Sequence, residues 1–147
     1  MTNVLTIALL DISNVVIASS ESSYGFAWAR ELFEPAYLPI DESHPQMPQE
    51  VYGLSKILNE KTGAMFQRRT GMQVTVLWFA WVMNDTDFAY VMKDLSDPKK
   101  YKNVLWSYID LRDEAAACTA AVEYAGGGYY ELNIRRTRHC LIRTRLR

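Results

Sequence analysis

Tyr52 and Lys56 are four residues apart in a segment with apolar residues at helical spacing. That spacing puts both side chains on one face. Ser20 follows Val15-Val16-Ile17-Ala18, a short run that reads as a buried strand. If the strand and helix belong to one parallel unit, Ser20 lies at the carboxyl edge, where such folds bind ligands. A hydroxyl, a phenol and an ammonium would then share a pocket. A phenol ionises near ~10, too high for a base at neutral pH. A nearby ammonium favours the phenolate. Tyr52 would exchange a proton with a substrate hydroxyl while hydride moves to a cofactor. Ser20 would hold the same oxygen in line. Taken alone, Tyr-x-x-x-Lys also fits an ordinary helix.

The surrounding elements support the pocket. Residues 25–49 hold Pro35, Pro39, Pro45 and Pro48, which makes them a long loop. Val51, Leu54, Ile57, Leu58 and Met65 set the apolar side of a helix. Lys61, Gln67 and Arg68 set its wet side, and Gly71 its C-terminal cap. Val74–Phe79 is a second buried strand, so strand, helix and strand form a βαβ unit with parallel strands. Residues 84–103 are expected to be an exposed loop with a short helix, and Trp106–Asp110 a short strand. An Ala-rich helix over 112–125 ends at Gly126-Gly127-Gly128, and Tyr129–Ile134 alternates like a strand. The triple glycine lies between helix and strand, the wrong order for a phosphate loop.

The chain has 147 residues, 49% of them apolar and 22% charged, enough for one cored domain. Disorder, a collagen repeat and a disulfide scaffold are excluded. No apolar run approaches the eighteen residues of a spanning helix. Val4–Leu10 lacks a basic flank and a cleavage site, so no signal peptide is expected. Two cysteines, Cys118 and Cys140, point to a reduced, cytoplasmic setting. All 17 acidic residues precede residue 135, and the tail 135–147 carries six arginines. That basic tail is expected to be disordered. Without interleaved aromatics it is not read as a nucleic-acid arm, and no membrane partner is expected. His44 and His139, without a Gly-x-Ser-x-Gly elbow, make no hydrolase triad, and no zinc spacing is present. Met65, Met72, Met83 and Met92 read as core or loop filler.

The order of motifs is more specific than any one of them. Ser19-Ser20-Glu21-Ser22-Ser23-Tyr24-Gly25 precedes Tyr52-Gly53-Leu54-Ser55-Lys56, and Tyr108-Ile109-Asp110-Leu111-Arg112-Asp113 follows. Over residues 1–134 this resembles the extended short-chain dehydrogenase/reductases, the NAD-dependent epimerase/dehydratases. The resemblance implies an α/β fold: a doubly wound, parallel Rossmann-like sheet with remnants of a small C-terminal substrate domain. It implies NAD or NADP as cofactor and a sugar or polyol hydroxyl as substrate. It places the catalytic trio on Ser20, Tyr52 and Lys56, with Ser19 and Ala80 at the nicotinamide end. The substrate side falls on Ser20, Glu21, Ser22 and Trp81. It also implies a homodimer through the helix at 51–70. The family's Gly-x-x-Gly-x-x-Gly turn is absent, so the sequence reads as the second half of such a fold, its isolated activity open. Glu21 and Ser22 replace the acidic pair of the 4,6-dehydratases, which points away from dehydration. Trp81 and Trp106-Ser107 replace residues that sugar-nucleotide epimerases use. The alternative is a non-catalytic interaction module retaining this half.

Overall fold

A computed structural model describes residues 12–93, 97 and 99–136. Strand β1 (Asn14–Ser20) leads through a short 3-10 turn (Glu21–Tyr24) into the proline-rich loop. Helix α1 (Val51–Thr70) and strand β2 (Gln73–Phe79) follow. β1 and β2 run parallel, from Asn14 opposite Gln73 to Ser20 opposite Phe79. Strand β5 (Tyr129–Ile134) lies on the other side of β2, also parallel, giving the order β1-β2-β5. Every residue of β2 is buried, as a central parallel strand requires. Its side chains alternate between two layers. Val74, Val76 and Trp78 pack toward Phe66 of α1. Leu77 and Phe79 meet Ala117, Cys118 and Ala121 of helix α3 (Leu111–Glu123). Helices therefore cover both faces of the sheet, a partial doubly wound α/β fold.

Helix α1 is capped as its sequence suggests. Gly71 takes φ 75° at its end, and its N–H bonds Gln67 O at 2.8 Å. Its inward face is a correction to the sequence reading. Val51, Leu54, Leu58 and Met65 are exposed, whereas Gly53, Glu60, Gly63 and Phe66 are buried. At Gly63 the helix lies too close to β1 for any side chain. A Cβ on Gly63 would stand 2.5 Å from Ile17 Cδ1. Two glycines, one glutamate and one phenylalanine face the sheet, and the apolar stripe faces out.

Beyond β2 comes a second, two-stranded parallel sheet of β3 (Trp81–Met83) and β4 (Tyr108–Asp110). The strand expected from Trp106 starts two residues later. Leu105 and Trp106 both have φ 53°, a left-handed turn that no strand accommodates. The segment between these strands is less exposed than its polarity suggests. Helix α2 (Asp85–Lys93) buries Val91 with Met83, Tyr101 and Tyr108 in a small core of its own. Gly127 and Gly128 turn the chain at φ 68° and 94° into β5. The first two tail residues are held: Arg135 Nη2 donates to Ile40 O at 2.6 Å, and Arg136 N to Tyr108 O at 3.0 Å. The reading of residues 137–147 as disordered, and those made for 1–11, fall outside the described residues.

Candidate active site

The carboxyl ends of β1 and β2 open onto a cavity of about 650 Å³. All eight residues singled out from the sequence line it: Ser19, Ser20, Glu21, Ser22, Tyr52, Lys56, Ala80 and Trp81. Each is placed by a nameable local cause. Ser20 is the N-cap of the 3-10 turn, and its Oγ accepts from Ser22 N at 3.1 Å. Gly25 closes that turn at φ 96°, where Met47 O would stand 2.1 Å from any Cβ. Glu50 caps α1, its carboxylate accepting from the N–H groups of Tyr52 and Gly53. The first turn of α1 is thereby fixed at the cavity wall.

Tyr52 is half-exposed, with its ring on the cavity side. Lys56 Nζ lies 5.1 Å from the Tyr52 ring centroid and donates to Ala18 O at 2.9 Å. The ammonium thus bridges the helix and the end of β1 and still has donors for a ligand. Ser19 is buried and donates to the Glu60 carboxylate. Glu21 is a largely buried carboxyl, its side chain 15% exposed, and that burial pushes its pKa up to about 7. Arg135, 3.5 Å away, opposes that rise, as does a hydrogen bond from Ser107. The wall beside Ser20 therefore holds a group that can both donate and accept near neutral pH.

The cavity also contains residues the sequence did not single out. Phe26 and Trp28 come from the proline-rich loop, Leu105 from the left-handed turn and Arg135 from beyond β5. The aromatic loop residues carried no spacing signal, and Arg135 was grouped with the arginine tail. His44 is a buried loop anchor: Ala36 N donates to its Nε2 at 3.1 Å, and its Nδ1 lies 3.1 Å from Pro45 O. No metal-ligand cluster is present among the described residues. No helix there is long and apolar enough to cross a membrane.

No family model matches the chain. Over 101 residues it is 34% identical to a Methanocaldococcus jannaschii protein named "Putative UDP-glucose 4-epimerase", covering 68% of this chain and 28% of that protein. The resemblance to the extended short-chain dehydrogenase/reductases, the NAD-dependent epimerase/dehydratases, is thus matched by a relative named as an epimerase. A second relative, the L-arabinose 1-dehydrogenase (NAD(P)(+)) of Haloferax volcanii, is 26% identical over 101 residues, 65% of this chain and 40% of that one. The fold matches the UDP-glucose 4-epimerase of Brucella ovis, solved with NAD, at a TM-score of 0.69 and 22% identity. That match covers 92% of this chain and 48% of the other. The chain thus spans well under half the length of the two curated relatives and about half that of the solved structure.

Proposed function

We propose that this chain carries the proton-transfer side of an NAD(P)-dependent reaction on a sugar or polyol hydroxyl. The observation that carries this reading is the convergence of Ser20, Tyr52 and Lys56 on one cavity at the carboxyl ends of parallel strands. Tyr52 gives and takes the proton of the substrate oxygen. Lys56, anchored on Ala18 O, stabilises the phenolate. Ser20, fixed by its turn, hydrogen-bonds the same oxygen. Glu21 faces the substrate's other hydroxyls. The names of both curated relatives, a UDP-glucose epimerase and an arabinose dehydrogenase, support a sugar substrate.

The residues present fit one end of a dinucleotide. Lys56 has donors free for ribose hydroxyls, and Ala18 and Ala80 leave room at the strand ends for a flat ring. Bound there, NAD or NADP would accept or return the hydride. No glycine-rich turn at a helix start is present among the described residues to cradle a pyrophosphate. Binding by this chain should therefore be weak. Saturation-transfer NMR on the full chain with NAD tests the site. Signal on the nicotinamide protons that disappears in Lys56→Met supports it. Equal signal in that variant overturns it.

A second reading is an interaction module. It is favoured by the exposed stripe of Val51, Leu54, Leu58 and Met65 on α1. The same stripe would support a homodimer through the helix at 51–70. Cys118 as a free thiol fits a cytoplasmic setting.

A further inference from the structure

Glu60 is fully enclosed, at 0% exposure, although it is a carboxylate in the middle of a helix. It lies one turn beyond Lys56 and two beyond Tyr52, on the same face of α1. Its two oxygens accept from three different elements. Ser19 Oγ of β1 and Trp78 Nε1 of β2 both donate to Oε1, the latter at 2.7 Å. Gln46 Nε2 of the proline-rich loop donates to Oε2 at 2.7 Å.

A leucine could fill this space without the cost of desolvating a charge. What the carboxylate adds is direction, because it accepts only where its donors point. The links of α1 to β1 come in sequence: Lys56 holds Ala18 O, and Glu60 holds the next residue, Ser19. A second route runs through Trp78, whose ring meets Tyr24 edge-on at 5.4 Å. Tyr24 ends the turn that Ser20 caps. Glu60 is thus tied to both sides of the reaction centre and lines no part of the cavity.

We propose that Glu60 is a positioning residue: by gripping Ser19, Trp78 and Gln46 together, it fixes α1 against β1 so that Tyr52 and Lys56 meet Ser20. The proposal rests on the reading of those three residues as the reaction centre. It is tested on the full chain with Glu60→Gln, which keeps the volume but leaves a single oxygen for three donors. The readout is the nuclear Overhauser cross-peak between the Lys56 ε-methylene and Ala18, assigned by its loss in Lys56→Met. We expect a cooperative melt, a displaced Trp78 indole N–H signal and a cross-peak reduced about five-fold or more. A purely structural Glu60 would lower the melting temperature and leave the cross-peak of the folded chain unchanged, and that result overturns the proposal. If Glu60→Gln does not fold, Ser19→Ala is read in the same way. It removes only the β1 link, so a reduced cross-peak supports the proposal and an unchanged one overturns it. Tyr52→Phe should leave the cross-peak in place whatever it does to the reaction. Failure of the proton-transfer reading is therefore distinguishable from failure of this proposal.

Discussion

Glu21→Gln should remove a pH dependence of stability that the buried carboxyl imposes. In the folded chain Glu21 ionises near about 7, against 4.5 for an unperturbed glutamate. The folded state then holds a proton that the unfolded chain has released between those values. Stability must fall as pH rises through that window and level off above it. At roughly 1.4 kcal/mol per pH unit, the loss from pH 4.5 to 8 is on the order of 3 kcal/mol. Gln has the same shape and no charge to bury, so its variant should lose this slope. Asp41 and Asp110 are held below the usual carboxylate range by hydrogen bonds from Tyr37 and Arg112, and titrate beneath the window. Urea midpoints at pH 5, 6, 7 and 8 for both proteins give the difference directly. The variant should gain on the wild type from pH 5 to 7 and gain little more by pH 8. Parallel curves would refute the claim that Glu21 is buried beside Ser20.

Three further outcomes follow from the same geometry. Gly25→Ala forces a Cβ against Met47 O at a left-handed φ, so urea denaturation should show a loss above about 2 kcal/mol; a neutral change would mean the turn is differently built. NADH titrated against its own fluorescence should bind the chain no more tightly than roughly millimolar, about −4 kcal/mol, and a micromolar constant would show that a pyrophosphate cradle is present. Leu58→Lys places a charge in the exposed stripe of α1, so sedimentation should show less self-association than wild type, and an unchanged profile would clear that face of a role in assembly.

The elements that hold the site were legible where one pattern dominated. Val15–Ala18 and Val74–Phe79 are β-branched runs, and Gly71 marks the end of the helix between them. The orientation of that helix was not legible, because its inward face is Gly53, Glu60, Gly63 and Phe66 while Val51, Leu54, Leu58 and Met65 point out. The close approach at Gly63 and the hydrogen-bonded Glu60 leave Phe66 as its one buried large apolar residue, too little to set a hydrophobic period. β3 escaped for another reason, although β4 was expected within 106–110: a three-residue strand is too short to alternate. The proposed trio of Ser20, Tyr52 and Lys56 stood out through its order along the chain. The rest of the cavity wall did not: Phe26, Trp28 and Arg135 reach it only through the path of the loop and the end of β5.

The central claim is that Tyr52 moves the proton when hydride moves. Transfer of deuterium from 4-deuterated NADH to a keto-sugar, at millimolar cofactor, measures it in the full chain and in Tyr52→Phe. Phe keeps the ring and the helix and removes only the hydroxyl. A general acid–base group contributes roughly 10²–10⁴-fold, so the variant should slow by that factor with an unchanged melt. A folded Tyr52→Phe chain that transfers deuterium at the wild-type rate would contradict the account. So would a wild-type chain that transfers none, which would leave the interaction-module reading in its place.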